Sequence, residues 1–183
     1  DPKIWDAFWE REEGFSVEEN RVIVGAILEI VGGSVFGKKV LEVGCGRACE
    51  AIALKKLGAE SVVVDFSSKA LNLAGKTAIQ AGVEILRVGA DARRLPFPDG
   101  YFDLVFSQGL IEHWEPPDEL LREQVRVVRL GGFVLVDVPQ LFSVQAVVKA
   151  VLMRIGKWPY GWERNYTEWE LRQLMKRFGL KIV

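Results

Sequence analysis

The run Val40-Leu41-Glu42-Val43-Gly44-Cys45-Gly46-Arg47-Ala48 sets a short apolar strand against two closely spaced glycines. An acidic residue stands inside the strand's end, and a helix-like segment follows. Such a turn carries little side-chain bulk, so a ligand can come close to its backbone and collect N–H groups. The stretch therefore predicts a strand, a tight turn and a helix start with a ligand nearby.

Working outward, the same alternation continues along the chain. Strands are expected at Val40 to Val43, Ser61 to Asp65, Glu84 to Val88, Asp103 to Ser107 and Phe133 to Val138. Between them, helices are expected at Ala48 to Leu57, Ser67 to Ala81 and Asp118 to Arg129, each followed by glycine. Short strands built almost wholly of Val, Leu and Ile, separated by helices, imply an α/β fold. Its Rossmann-like, doubly wound and mostly parallel sheet is covered on both faces.

Before the first strand, Trp5, Phe8, Trp9 and Phe15 suggest a short amphipathic helix. Ser16 and Glu19 fit a capping box ahead of the helical spacing Val22, Ile23, Ala26, Ile27 and Ile30, which Gly32-Gly33 would end. After Pro139, Val147, Val148, Val151, Leu152 and Ile155 recur at helical spacing, followed by Trp158, Tyr160 and Trp162. This part is expected either to lie over the crevice as a lid or to cover the sheet edge. A second capping box, Thr167 and Glu170, starts a helix that Gly179 closes, and Leu180 to Val183 would begin a sixth strand. Arg122, Arg126 and Arg129 share a helical face that is expected to be solvated.

At 183 residues, 49 % hydrophobic and with a formal net charge of −1, the chain fits one globular domain. No global field favours nucleic acid, and no basic patch points to it. The only cysteines are Cys45 and Cys49, and the only histidine is His113, too few for a disulfide framework or a zinc site. Reduced thiols, a cytoplasmic location, no metal and no membrane span are therefore expected. The absence of an initial Met suggests trimming or missing residues at the start. The sequence specifies no oligomeric state.

Ligands of an open parallel sheet bind outside the carboxyl ends of its strands. Glu42 and the glycine turn, Asp65, Gly89-Ala90-Asp91-Ala92, and Ser107-Gln108-Gly109 all fall at such ends. Asp65 stands roughly 20 residues after the glycine turn, where a carboxylate can accept from both hydroxyls of a ribose. Its bland alternative is to cap the next helix, a task Ser67 can perform instead. A dinucleotide reading is weakened because Cys49 takes the place of the third glycine of G-x-G-x-x-G. Glu42 would also repel a pyrophosphate, whereas it suits a cation.

Leu41-Glu42-Val43-Gly44-Cys45-Gly46 resembles the first motif of class I S-adenosylmethionine-dependent methyltransferases. The run from Asp91 to Val105, Gly109-Leu110-Ile111-Glu112-His113, and Arg129-Leu130-Gly131-Gly132-Phe133-Val134-Leu135 are similar to later motifs of that family, in the right order. The likeness is greatest to the small-molecule subgroup that includes the ubiquinone and menaquinone methyltransferases. Two departures are Ala48, where many members have Gly, and Arg129-Leu130, where the family commonly has Lys-Pro.

The resemblance implies a donor, S-adenosylmethionine, that leaves as S-adenosylhomocysteine. Glu42 and the backbone of Gly44, Cys45 and Gly46 would hold its methionine part, Asp65 the ribose, and Phe66 the adenine face. Asp91 and Ala92 would meet the adenine amino group, and Gln108 would line the methionine side. His113 is a candidate general base near the transfer site, with a structural histidine as its alternative. Trp158, Tyr160 and Trp162 would contact a small-molecule acceptor of aromatic or lipid-like character.

One domain over 1–183 is expected. Helices would occupy 1–38, the cofactor-binding core 39–139, the lid or substrate segment 140–166, and the last helix and strand 167–183. The family's closing antiparallel hairpin would then be incomplete. Two other functions stay open at this point: a cofactor-binding partner subunit without catalysis, and an NAD(P)-linked oxidoreductase.

Overall fold

A computed structural model describes residues 2–11, 21–158 and 161–183. Five strands form one parallel sheet in the order β3-β2-β1-β4-β5. They are β1 (Lys39–Val43), β2 (Glu60–Asp65), β3 (Leu86–Gly89), β4 (Phe102–Gln108) and β5 (Val128–Asp137). The helices are α1 (Pro2–Arg11), α2 (Arg21–Ile30), α3 (Cys49–Lys56), α4 (Ser68–Gln80), α5 (Asp118–Val127), α6 (Val144–Arg154) and α7 (Glu168–Arg177). Ser16, Glu19 and Phe15 lie outside the described residues.

Side chains alternate across β1, so its two faces feed two cores. Val40 joins Ile27, Leu54, Ala74 and Phe106 on one side, under α2, α3 and α4. Leu41 and Val43 join Val64, Phe102, Val105 and Val127 on the other, next to α5. A third cluster ties Ile111 and Leu121 to Leu174 and Met175 of α7. Covering both faces makes the sheet doubly wound. Strand order reverses between β1 and β4, which opens a crevice at their carboxyl ends.

Ser67 caps α4 by accepting from the Ala70 N–H, and Thr167 and Glu170 form a complete capping box on α7. Three expectations need correction. The helix before β5 ends at Val127 rather than Arg129, because Val128 already pairs with Phe102. The glycines Gly131-Gly132 therefore do not stop a helix; they sit in an irregular part of β5, between the Phe102–Val128 and Leu104–Phe133 pairs. Arg122 and Arg129 are exposed as expected, but Arg126 is not part of a solvated face. Arg126 binds Glu123, Asp99 and the carbonyls of Leu95 and Phe97, while Arg129 binds Asp103 at 2.7 Å. Leu180 to Val183 form no strand; Leu180 and Ile182 pack beside the α7 cluster instead.

In α6 the apolar stripe and the buried residue do not coincide. Val147, Val148, Val151 and Ile155 lie exposed, so the apolar stripe does not face the core. The buried side chain is Lys149, whose ammonium finds oxygen acceptors inside.

Gly132 lets β5 lie close to β4: a Cβ there would stand 2.7 Å from the Asp103 carbonyl and 3.0 Å from that of Arg129. A Cβ on Gly131 would meet only the Arg129 guanidinium, at an ordinary 3.6 Å, but its φ is +73°. In urea unfolding, G132A should lose about 3 kcal/mol through backbone overpacking, whereas G131A should lose only about 1 kcal/mol through left-handed strain. The reverse order would refute this account of the irregularity.

Candidate functional site

The ends of β1, β2, β4 and β5 open on one cleft of about 780 Å³, within the range of roughly 300–1,000 Å³ usual for ligand sites. Glu42, Gly44, Cys45, Gly46, Asp65, Phe66, Gln108, His113 and Trp158 all line it. Asp91 and Ala92 do not: the Asp91 carboxylate is exposed and held by Arg93 at 2.6 Å, which keeps its pKa low. Trp162 is also outside the lining; its side chain is 54 % exposed, and only its carbonyl turns inward. Tyr160 lies outside the described residues.

The glycine turn differs from expectation in one respect that matters for the ligand. The N–H groups of Gly44 and Cys45 both donate to the Val64 carbonyl, at 2.8 and 3.2 Å. The Gly46 N–H donates to Asp65 Oδ2 at 3.1 Å. All three donors are used inside the fold, so the turn presents carbonyl oxygens and Cα atoms rather than a cradle of amides. Two φ values, +72° at Gly44 and +49° at Gly46, set this shape. Ala48 follows at +58°, a conformation that explains why glycine commonly stands there in similar chains. On the Gly46 side the ring of Trp9 packs so closely that an added Cβ would be 2.5 Å from it.

Carboxylates dominate the lining. Glu42 is buried and accepts the Ala51 N–H at 3.1 Å, capping α3 where Ala48 has no side chain to do so. Burial first, and then the nearby Glu50 charge, push its carboxyl well up from the usual range. Asp65, also buried, accepts from Gly46 and from the Ser67 N–H at 2.9 Å; burial raises its pKa in spite of those bonds. Asp137 at the end of β5 is likewise raised, by burial and by Glu50. Burial also drives the Cys45 thiol well up, which leaves it protonated and a poor nucleophile.

Residues with no site role assigned from sequence complete the cleft: Trp5, Arg47, Glu112, Asp137 and Glu163. Among the described residues, Nε and one terminal nitrogen of Arg47 are buried without a hydrogen-bond partner. So is Glu112 Oε2. An acidic lining with one unsatisfied guanidinium is complementary to a ligand that carries positive charge and a carboxylate. The donor set thus fits an amino-acid sulfonium nucleoside. It does not fit a pyrophosphate, which would face carboxylates and no free turn amides.

His113 sits on a short 3-10 turn after β4. Its Nδ1 is 3.0 Å from the Trp162 carbonyl, and the edge of Trp5 meets the ring with centroids 4.9 Å apart. A carbonyl can only accept, so Nδ1 carries the proton and Nε2 the lone pair of the neutral ring. Burial lowers the imidazole pKa.

Comparisons with known proteins agree with this geometry. A family model described as a methyltransferase domain matches residues 41–136. Along its whole length the chain is 28 % identical to a ubiquinone biosynthesis O-methyltransferase of Cupriavidus pinatubonensis, of which it spans 79 %. Over 64 % of its length it is 36 % identical to a demethylmenaquinone methyltransferase of Mycolicibacterium paratuberculosis, of which it spans half (50 %). Magnesium protoporphyrin IX methyltransferase of Synechocystis, solved with bound S-adenosylhomocysteine, shares the fold. It has a TM-score of 0.74 at 18 % identity, over 96 % of this chain and 73 % of that one. Among the described residues no helix is long and apolar enough to cross a membrane.

Glu112 supplies a test of the cleft's electrostatics. Burial, reinforced by the Glu163 and Asp137 charges, pushes its carboxyl from 4.5 up to about 7. The folded state then keeps a proton that the unfolded chain releases. Stability is complete below 4.5 and is lost as pH rises through about 7, by about 3 kcal/mol. Urea unfolding at pH 5 and pH 8 should show E112Q escaping that loss. An equal pH dependence in both proteins would contradict the assignment.

Proposed function

The chain belongs to the methyltransferase domain family, and from that premise we propose that it uses S-adenosylmethionine to methylate a small-molecule acceptor. The observation that carries this reading is the acidic cleft at the strand ends, with a turn whose amides are already used. Glu42 and the carbonyls of the Gly44–Gly46 turn would hold the ammonium end of the donor. Arg47 would take its carboxylate, Asp65 the ribose hydroxyls and Phe66 the adenine face. The donor, when bound, supplies a methyl group on a positively charged sulfur.

The chain's own task is then placement and proton handling. Holding two reactants in line can remove roughly 7–11 kcal/mol of the barrier. Trp5, Leu110 and Trp158 line the cleft and would exclude water from it. His113 Nε2, unprotonated in the neutral ring, would take the proton of a hydroxyl acceptor as it is methylated. Names of similar proteins, a ubiquinone O-methyltransferase and a demethylmenaquinone methyltransferase, support an aromatic, lipid-like acceptor. Cys45 and Cys49 are buried and neither is in a disulfide, which is consistent with a reducing compartment such as the cytoplasm.

Calorimetry against S-adenosylhomocysteine and NAD separates this reading from the dinucleotide one. Binding of the first without the second is expected, and NAD binding alone would overturn it. D65A should weaken S-adenosylhomocysteine ten- to a hundredfold, the loss of a charge-assisted pair.

Arg47 has its own discriminating ligand. R47Q should weaken S-adenosylhomocysteine about tenfold or more while leaving 5′-methylthioadenosine, which lacks the carboxylate, unaffected. An equal loss for both ligands would remove Arg47 from the carboxylate site.

A further inference from the structure

Glu163 and Lys149 belong to no motif in the sequence, yet their side chains are only 5 and 6 % exposed. Glu163 lines the cleft, and Lys149 reaches Glu163 from α6. The Lys149 ammonium lies 2.8 Å from Glu163 Oε1. It also donates to the Glu163 carbonyl at 3.0 Å and to Asn165 Oδ1 at 2.7 Å. One lysine thereby clamps the segment 162–166, which in turn straps the turn bearing His113. Arg164 N–H donates to the Glu112 carbonyl at 2.8 Å, and the Trp162 carbonyl receives His113 Nδ1. The second carboxylate oxygen of Glu163 stands 3.9 Å from His113 Nε2, too far for a hydrogen bond but well within electrostatic reach.

We propose that Lys149 and Glu163 are positioning residues for His113, a balanced ion pair that fixes the strap and keeps the imidazole neutral with Nε2 open toward the cleft. Its catalytic meaning rests on the methyl-transfer reading above; the positioning itself does not. The groups that face the ring are Glu163 from the strap, Lys149 from α6 and the uncharged Trp5 from α1. Glu112 adjoins it in the chain and belongs to the same carboxylate set. An unpaired Glu163 would draw a proton onto His113, and an unpaired Lys149 would repel one. Together they act in opposite directions on the ring, and burial keeps it a base rather than an acid.

His113 is the chain's single histidine, so its imidazole signals in an NMR titration need no assignment. The wild-type ring should titrate below about 6.5, the ordinary imidazole value, and its nitrogen shifts should show the Nδ1–H tautomer. K149M should raise the midpoint by about a unit or more. E163Q should lower it, and the double variant should return close to wild type. Shifts in the same direction, or no shift in either single variant, would overturn the proposal, as would the Nε2–H tautomer. If K149M does not fold, E163Q decides alone: a lowered midpoint supports the pair, and an unchanged or raised one refutes it. Failure of S-adenosylhomocysteine to bind would strike at the methyl-transfer reading and leave this titration standing.

Discussion

Two strand-end carboxylates hold the site together by accepting backbone amides. Glu42 on β1 takes the Ala51 N–H of α3, and Asp65 on β2 takes the N–H groups of Gly46 and Ser67. Charge-assisted bonds of this kind are roughly twice as strong as neutral ones. They knit the turn, two strands and the starts of two helices into one unit. They also determine what the turn can offer. With its donors committed to Val64 and Asp65, the turn becomes an acceptor surface, and the carboxylates behind it stay partly desolvated. A binding site built this way selects positive charge before any contact with the reacting groups is made.

The other half of the cleft depends on β5 lying against β4. Gly132 permits that approach, and the register then brings Asp137 beside Gln108. The Gly109 N–H donates to the Asp137 carbonyl, so the chain leaves β4 directly into the turn that carries Glu112 and His113. From there the 162–166 strap and Lys149 hold the turn from outside. The donor side of the cleft is thus fixed by local strand-end geometry. The acceptor side is fixed by contacts about 50 residues apart in sequence, such as His113 with Trp162.

That difference explains what the sequence could reveal. Buried parallel strands announce themselves as apolar runs, and the cappers Ser67, Thr167 and Glu170 act within four residues, so the sheet and most helices were legible. Glu42 and Asp65 were legible because they follow strands at fixed offsets. Periodicity failed where a distant polar partner outweighed it. The α6 stripe gave helical spacing but not which side is buried: Lys149 meets three oxygen acceptors inside, and Val147, Val148 and Val151 lie outward. Arg126 looked solvated, but four acceptors from a loop about 30 residues upstream and from its own helix enclose it. Asp91 lay at a strand end, yet Arg93 two residues on captures it. Arg47 and Glu112 stood inside recognised motifs, but nothing in the motifs singled out their side chains, and Glu163 carried no pattern at all.

An acidic cleft has a consequence for turnover as well as for binding. Glu42, Asp65 and Asp137 all have raised pKa values because burial disfavours their charge. A cation nearby offsets part of that penalty, so these carboxylates ionise more readily around a positively charged donor. On the proposed reading, the same carboxylates would face one positive charge fewer after methyl transfer, because the sulfur would have become a neutral thioether. The electrostatic attraction that drew the donor in is then weaker for the product than for the substrate. Contacts proposed to ribose and adenine would be unchanged by the reaction, so the difference would lie in the charged half of the site. Burial of carboxylates around the turn, which looks like a cost to folding, therefore favours exchange of spent donor for fresh.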